Sequence, residues 1–584
     1  MPLFFTVSES GKPPARIILP TGAGESTRHA AERLRDAARR VAGIELPITS
    51  EASGTGPRIL LGTLAENAES EKLLRDSRII VRLEDREQEA NKRALVPENL
   101  GPEGFVIWMH PDSTSAALVL TAATPIGALY AVETLCHRLY RSTDRLIAGP
   151  LHSETTPVLN LPAFRVRGIA TNLGGPDWIA GGQWEKEWGL PQGQGYDWRG
   201  FVDWMASHKI NNLNAWLFNL AFGLAYDSKR FPDLVNRHHP NVRHEFMSDL
   251  INYAHQRGIH VVANLDFPDN WTAIVKARPE LAGKNCDVST IPSGEAWDRY
   301  QEYGEKRIGD QGPEKVRHSC SWVCGSELKV MDLWRAYLEE LLDRYPQLDG
   351  LGMQLSETAR LVCNCSRCNG NARQFAINEE FFAAMVEIGR KRNPAMTFSV
   401  YDSWGTRDVL LHSSRYPNFV DIDWSGDLAS LFYKRYIPRS TWYLFHKGAE
   451  RFPDAAYKYA AMALNERGLK AMQIRGAAYR EFDNAYQAFE EFSWNPRLSI
   501  EDYAALYARI AQRREDESLA ALYTAFLNFM LYRDLAGVPA AGARLSPDQE
   551  RGNRARTEVE RLLETAGSGS GLVDAIRVRL STRR

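Results

Sequence analysis

The sequence predicts an α/β fold, because short apolar segments alternate with amphipathic segments along most of its 584 residues. From Phe164 onward this alternation gives eight strand candidates separated by helical stretches. Eight such units fit a (β/α)8 TIM barrel better than an open, doubly wound sheet, since no glycine-rich phosphate turn follows any strand candidate. The strand candidates are FRVRGIATN, INNLNAWLF, HVVANLDF, LDGLGMQLSE, MTFSVYDSW, FVDIDWSGD, TWYLFHKG and LKAMQIRGAAYREFD.

A small α/β accessory domain is expected before the barrel. ARIILP, ESTRHAAERLRDAARRVAG and PRILLG predict a strand, a helix and a second strand, and GFVIWMHP and SAALVLTAA predict a strand pair. TPIGALYAVETLCHRLY adds a helix, and the proline-containing HSETTPVLNLPAF is the expected linker. After Asn495-Pro496 the chain is expected to be helical, with a flexible tail. The predicted domains are the accessory domain at 1–158, the TIM barrel at 159–496 and the helical C-terminal region at 497–584.

Composition and charge exclude several classes of function. The 71 basic and 73 acidic residues give a formal net charge of −2, so no overall field favours nucleic acid or a membrane surface as a partner. No window approaches the ~18 uninterrupted apolar residues of a membrane span. The N-terminus, MPLFFTVSESGKPPAR, lacks the pattern of a signal peptide. A cytoplasmic location is therefore expected, with secretion as the alternative if a leader has been removed. The sequence leaves open whether the protein forms a homo-oligomer.

Polar and aromatic residues fall where the predicted strands end, at the end of a TIM barrel that carries the chemistry. The carboxylates there are Glu357, Asp402, Asp423 and Glu481. Hydrolysis of a glycosidic bond requires two carboxylates, because one protonates the leaving oxygen while the other acts as base or nucleophile. Aromatic faces and polar groups nearby would hold a carbohydrate substrate. The candidate substrate-binding residues are Asn172, Asn214, Trp216, Asp266, Trp404, Trp424, His446, Lys447 and Arg480.

Glu357 is the first candidate for the catalytic acid. It follows the apolar strand LGMQLS, so a wall of low dielectric constant would raise its pKa toward the range of a general acid. An ion pair with Arg360 or Arg367 is the alternative, and such a pair would lower the pKa instead.

The second carboxylate is less defined by the sequence. Asp402 precedes a serine and a tryptophan, which suits a loop that contacts sugar. Asp423 alternates with Asp421 along its strand, so the two would share one face. Glu481 is flanked by charged residues and is expected to be held in an ion pair, so we rank it after Asp402 and Asp423.

Five of the seven cysteines form two groups, Cys363-x-Cys365-x-x-Cys368 and, upstream, Cys320 and Cys324. The loop after the fourth strand and the segment before its preceding helix lie at the same end of a barrel, so four thiolates could form a tetrahedral zinc site. Disulfides between the groups are the alternative in an oxidising compartment, and unliganded thiols are the third reading. Either kind of cross-link would be structural, and no cofactor is expected for catalysis.

Several stretches resemble known families. TAATPIGALYAVETLCHRL resembles the accessory domain of β-N-acetylhexosaminidases and α-glucuronidases, and FRVRGIATN with YDWRGFVDWMASHKINNLNAW resembles the first barrel units of α-glucuronidases. The cysteine-bearing segments, YPQLDGL and EFSWNPRLSIEDYAALYARI resemble barrel glycosidases related to both. The resemblance implies a TIM-barrel glycoside hydrolase with Glu357 at the position of the acid. Hexosaminidases that use the substrate's acetamido group carry Asp-Glu there, whereas this sequence has Ser356-Glu357, which argues against substrate assistance.

The sequence therefore predicts a glycoside hydrolase, exo-acting on an oligosaccharide or glycoside, with a hexosamine or a uronic acid as the sugar. Basic residues expected near the mouth would bind a uronate carboxylate, although ion pairs with the acidic residues are the alternative. They are Arg167, Lys447, Arg475 and Arg480. The second hypothesis is a non-catalytic carbohydrate-binding protein on a degenerate glycosidase barrel.

Overall fold

The structure is a computed structural model that describes most of the chain. The described residues are 3–51, 56–76, 80–83, 92–94, 100–110, 116–151, 158–171, 198–215, 220, 222–266, 271–298, 300–301, 322–354, 363–369, 373–402, 419–423, 442–445, 454–469, 471–475, 483–514, 516–536, 547–566 and 571–581.

The N-terminal part of the described chain consists of two sheets and the helices packed on them. Strands β1 to β11 span Leu3–Glu9, Arg16–Ile18, Ile48–Thr49, Arg58–Thr63, Ile80–Leu83, Lys92–Ala94, Phe105–His110, Ala117–Ala122, Leu139–Ser142, Arg145–Leu151 and Val158–Asn160. Helices α1 to α3 span Glu25–Ala42, Ala68–Asp76 and Pro125–His137. The larger sheet has the strand order β3-β2-β4-β8-β7-β11-β5-β6, and the smaller has the order β1-β10-β9.

The predicted elements of the accessory domain form as the sequence indicates. Helix α1 ends at Gly43, whose positive φ of 71° and N–H bond to the Arg39 carbonyl close the helix. Thr124 caps α3 by accepting a hydrogen bond from the Gly127 N–H. Strands β7 and β8 pair antiparallel. The sequence analysis missed the other seven described strands of this part, among them β1, which pairs with β10, and β11, a short strand inside the predicted linker.

The barrel contains all eight predicted strands, so the predicted fold class is confirmed. Strands β12 to β19 span Val166–Thr171, Asn212–Ala215, His260–Asp266, Gly350–Gln354, Thr397–Asp402, Phe419–Asp423, Trp442–Phe445 and Ala471–Arg475. Neighbouring strands pair in parallel, and β12 also pairs with β19, so that the described strands close into a barrel. The carboxyl ends of all these strands therefore lie at one end of the barrel.

Two glycines make room for polar side chains inside the barrel. A Cβ on Gly352 would lie 1.9 Å from Asn264 Oδ1 and 2.7 Å from Ser399 Oγ. A Cβ on Gly168 would lie 2.8 Å from Gln473 Cγ. Since both contacts are shorter than a side chain tolerates, glycine at these strand positions is what allows the amide and hydroxyl groups to fill the interior.

Helices surround the barrel and continue beyond it. Helices α4 to α15 span Trp198–Ser207, Pro240–Arg243, Met247–Gln256, Thr272–Ala277, Leu328–Arg344, Gln374–Arg392, Asp454–Glu466, Asp483–Trp494, Ile500–Gln512, Glu517–Ala536, Pro547–Thr565 and Gly571–Ser581. The tail expected to be flexible is helical over Gly571–Ser581, because Val573 and Ile576 are buried against the preceding helices. A search of the described helices finds none with the length and apolarity needed to cross a membrane.

Candidate active site

Acidic residues lie at the carboxyl ends of three barrel strands. Asp266, Asp402 and Asp423 are the last residues of β14, β16 and β17. Asp402 and Asp423 are register partners, and Asp266 pairs with Gln354, the last residue of β15. Because neighbouring strands are about 4.8 Å apart, these positions lie side by side on one rim. Arg475, the last residue of β19, lies on the same rim.

The strongest candidate for the acid lies just beyond this rim in the sequence. Glu357 follows Gln354, the end of β15, by three residues and lies outside the described residues. Its proposed role stays a prediction. The same holds for the other candidates outside the described residues, which are Asn172, Trp216, Trp404, Trp424, His446, Lys447, Arg480 and Glu481.

Asn214 lies deeper in the barrel than the strand ends. It is fully buried, and its Nδ2 donates a hydrogen bond to Asn212 Oδ1 at 2.7 Å. It pairs in register with Val262, which pairs with Gly350, the first residue of β15. Its substrate-binding role stays a prediction, and the residue belongs to the polar interior below the rim.

The hypothesis that Arg167 binds a substrate carboxylate is wrong. Its guanidinium is buried and forms two bonds, of 2.9 and 3.0 Å, with the carboxylate of Glu103 in the accessory domain. It also donates to the carbonyls of Lys209 and Phe164 at 2.8 Å. Arg167 is the second residue of β12 and so lies at the opposite end of the barrel from the mouth. Sequence reasoning missed this role because Glu103 is far away in the chain.

One of the alternatives for Glu357 has another partner in the structure. Arg367 Nη2 donates to Glu327 Oε2 at 2.6 Å, and this pair lies at the start of α8. The side chains of both residues are accessible to solvent, so the pair is screened and adds little stability. Arg367 is therefore engaged with the segment that precedes α8.

The two predicted cysteine groups meet in space. The Sγ atoms of Cys324, Cys363, Cys365 and Cys368 all lie within 4.8 Å of one another. Cys324 Sγ is 3.8 Å from Cys365 Sγ and 3.7 Å from Cys368 Sγ. All four are free thiols in the structure, and all but Cys365 are buried. We call these four residues the cysteine cluster; the fifth candidate, Cys320, lies outside the described residues.

Backbone and hydroxyl groups surround the sulfurs of the cysteine cluster. The Lys284 N–H donates to Cys363 Sγ at 3.2 Å, and the Cys368 N–H donates to Cys365 Sγ at 3.3 Å. Burial raises the pKa of the Cys363 thiol. Partial burial acts in the same direction on Cys365, but bonds from the Cys368 backbone and thiol outweigh it and lower the pKa of Cys365 to about 6. Cys286 is disulfide-bonded, so its sulfur is not a further ligand.

A second group of titratable side chains was not anticipated from the sequence. Glu490, fully buried on α11, contacts Lys209 Nζ at 2.5 Å and His208 Nδ1 at 3.1 Å, while His137 Nδ1 of α3 is 3.7 Å away. Although burial alone would raise it, the charge of Lys209 with the two histidines lowers the pKa of Glu490. Burial raises the pKa of the adjacent Glu491 to about 6. Because Lys209 already supplies the cation, this group serves as an internal ion network.

Comparison with known proteins supports the class of protein that the fold indicates. The family model described as the catalytic domain of glycosyl hydrolase family 20 matches residues 197–346. No curated protein matches the chain. The match relates the barrel to a family of glycoside hydrolases, but it ends before β15 and does not include Glu357.

Solved structures share the fold at low identity. A mutant Streptomyces plicatus β-hexosaminidase in complex with its product GlcNAc has a TM-score of 0.52 and 14% identity, with 94% of each chain covered. A Vibrio harveyi exo-β-N-acetylglucosaminidase of family 20 has a TM-score of 0.52 and 14% identity, covering 87% of this chain and 74% of that one. A family 138 enzyme that targets pectin rhamnogalacturonan II has a TM-score of 0.57 and 14% identity, covering 96% and 67%.

Together the closed barrel and the family match define the class. The chain is a TIM-barrel glycoside hydrolase related to the β-N-acetylhexosaminidases. This favours the enzyme over the second hypothesis, a carbohydrate-binding protein without activity.

Proposed function

We propose that the protein is an exo-acting glycoside hydrolase that cleaves a terminal sugar from an oligosaccharide or glycoside by carboxylate acid/base catalysis. The observation that carries the proposal is the rim described above. Asp266 ends β14 and Asp402 ends β16, which are the two neighbours of β15, and Asp423 ends β17 beside β16. The chain that follows β15 contains Glu357. Two carboxylates acting on one sugar at this rim are what glycosidic hydrolysis requires.

In the proposed mechanism Glu357 is the general acid that protonates the leaving oxygen. Asp402 or Asp423 supplies the second carboxylate, either as the base that activates water or as the nucleophile. Ser356 occupies the position at which substrate-assisted hexosaminidases carry aspartate, so the second carboxylate comes from another strand. The proposed hydrolysis needs no cofactor, and the metal that we propose for this chain is a structural zinc ion at the cysteine cluster.

The sugar that we propose is a hexosamine. The family 20 match supports this choice, as do the hexosaminidases among the structures with the same fold. A terminal uronic acid is the alternative, because Lys447, Arg475 and Arg480 would supply cations near the mouth.

A panel of aryl glycosides tests the proposed function directly. The panel contains both anomers of N-acetylhexosaminides, unsubstituted hexosaminides, neutral hexosides and uronides, and release of the aryl alcohol is measured. We expect turnover of one hexosaminide anomer, with other sugars lower by at least about 100-fold because the site cannot pair their groups. Turnover of a uronide alone would replace the hexosamine assignment. Absence of turnover on every member would overturn the proposed hydrolase.

Asp402→Asn and Asp423→Asn variants identify the second carboxylate. We expect one of the two to lower kcat by about 100-fold or more, because an amide cannot act as base or nucleophile. Azide added to that variant should restore turnover of an activated aryl glycoside and yield a glycosyl azide. Asp343→Asn, an exposed carboxylate paired with Arg392 on the outer helices, is the matched control and should keep the wild-type rate. If both rim variants keep the wild-type rate, the second carboxylate lies elsewhere.

A further inference from the structure

We propose that Cys324, Cys363, Cys365 and Cys368 bind one structural zinc ion. The inference concerns a site outside the reacting carboxylates and does not depend on the proposed hydrolysis. It rests on the geometry of the four sulfurs, on the groups that donate hydrogen bonds to them and on the irregular segments that they join.

Two of the six distances between the sulfurs match a tetrahedral zinc site, and the others lie within 4.8 Å. A Zn–S bond of about 2.3 Å gives sulfurs at the corners of a tetrahedron about 3.8 Å apart. The two measured separations, from Cys324 Sγ to those of Cys365 and Cys368, are 3.8 and 3.7 Å. A disulfide would bring a pair of sulfurs to about 2.05 Å, which is far shorter than either value.

The groups around the sulfurs favour bound thiolates. Two backbone N–H groups, from Lys284 and Cys368, donate to Cys363 Sγ and Cys365 Sγ. The Cys368 thiol donates to Ser326 Oγ at 3.2 Å, and once metal binding removes the thiol proton the same hydroxyl would donate to the thiolate. Such donors orient the ligands of a metal and offset the negative charge that four thiolates leave around a divalent ion.

The cluster joins irregular segments that lie far apart in the sequence. The segment before α8 pairs with a preceding loop through the Ala282–Val323 bridge and the bond from the Cys324 N–H to the Leu281 carbonyl. Residues 363–369 form a turn in which the Asn369 N–H bonds to the Cys365 carbonyl and Asn369 has a positive φ of 49°. A zinc ion would fix the turn to the segment before α8. Without it, short hydrogen-bonded turns would hold these two segments in place only weakly.

The choice of metal follows from the ligands. Four thiolates in a tetrahedron suit zinc, and a single iron ion is the main competitor. An iron–sulfur cluster places several irons and sulfides between the cysteines, and it would need the four sulfurs farther apart than 4.8 Å. A thiolate site for magnesium or calcium is excluded, because these ions prefer oxygen ligands.

Metal analysis of the full chain tests the proposal. Protein produced in medium with added zinc and iron should contain about one zinc per chain. A double variant, Cys365→Ser with Cys368→Ser, should lose that zinc, because it removes two of the four ligands. Cys136→Ala is the matched control, because Cys136 is a buried free thiol of the accessory domain, and it should keep the zinc.

Two further measurements use the wild-type protein and keep the proposal testable if the double variant fails to fold. Stripping zinc with a chelator should lower the melting temperature by at least about 5 °C, and zinc, but not magnesium, should restore it. Cobalt added to stripped protein should show the visible absorption and the thiolate charge-transfer band of tetrahedral sulfur ligation. A full equivalent of iron, a disulfide within the cluster, or stoichiometrically metal-free protein with an unchanged melting temperature would overturn the zinc site.

Discussion

Replacing Glu357 by glutamine is expected to lower kcat about 1000-fold on an aryl glycoside with a poor leaving group. The reason is that glutamine has no proton to give to the leaving oxygen, and general acid catalysis contributes 10²–10⁴-fold. The loss should shrink on a glycoside with a highly activated leaving group, because that group departs without protonation. Measuring kcat over a series of leaving groups therefore separates an acid from a residue that merely holds the substrate.

The control for Glu357→Gln is Glu339→Gln. Glu339 is an exposed residue of α8 that pairs with Arg230, and its replacement should leave kcat unchanged for every leaving group. The melting temperature of Glu357→Gln should equal that of the wild type, since the change removes a charge and keeps the shape. An equal loss across the whole series of leaving groups would assign Glu357 to substrate positioning. A wild-type rate in the variant would remove Glu357 from the mechanism altogether.

Replacing Glu490 by glutamine is expected to give the largest loss of stability. Glu490 is fully buried, and its carboxylate is the counter-charge of Lys209, which is itself only 3% exposed. Removing one partner of a buried pair leaves the other charge without compensation and costs about 3–5 kcal/mol. We expect the apparent melting temperature to fall by about 2–4 °C, measured by calorimetry or by the fluorescence of the buried tryptophans.

Glu491→Gln is the matched control on the same helix, and it should behave in the opposite way. Burial raises the pKa of Glu491 to about 6, above the ordinary value of 4.5. The stability that depends on a protonated Glu491 carboxyl is therefore fully present below about pH 4.5 and is lost as the pH rises through 6. Wild type and Glu491→Gln should melt together near pH 4.5, whereas at pH 7 the variant should be more stable by about 1–2 kcal/mol. A lower melting temperature for Glu491→Gln at pH 7 would contradict this assignment.

The barrel could be predicted from the sequence because its signal is local. Each strand candidate, such as HVVANLDF or MTFSVYDSW, is a short apolar segment between amphipathic helices, and the eightfold repetition of that pattern leaves few other folds. Strands such as β1 and β11 were missed because their pairing partners, β10, β5 and β7, lie elsewhere in the chain. The domain boundaries at residues 158 and 496 remain predictions.

The kinds of residue in the candidate site were easier to predict from the sequence than their arrangement in space. Asp402 and Asp423 stand at the ends of apolar segments, which places them on the rim, but their neighbouring register depends on how the barrel closes. Arg167 shows the opposite case: its place at the start of a strand puts it away from the mouth, but nothing local indicates that Glu103 is its partner. The cysteine cluster was predictable because the spacing of Cys363, Cys365 and Cys368 is itself a ligand pattern.

The contact between Glu103 and Arg167 has a consequence for how this chain can be engineered. The guanidinium lies 4.9 Å from the ring of Trp494 and 5.8 Å from that of Tyr130, so residues of the N-terminal sheets and helices, the first barrel strand and α11 meet at one point. A barrel expressed without its N-terminal part would leave the Arg167 guanidinium without its carboxylate partner. It would also expose the Trp494 indole at the end of the barrel opposite the mouth. Swapping accessory domains between related enzymes should therefore give insoluble chimeras unless this seam is transplanted as a unit.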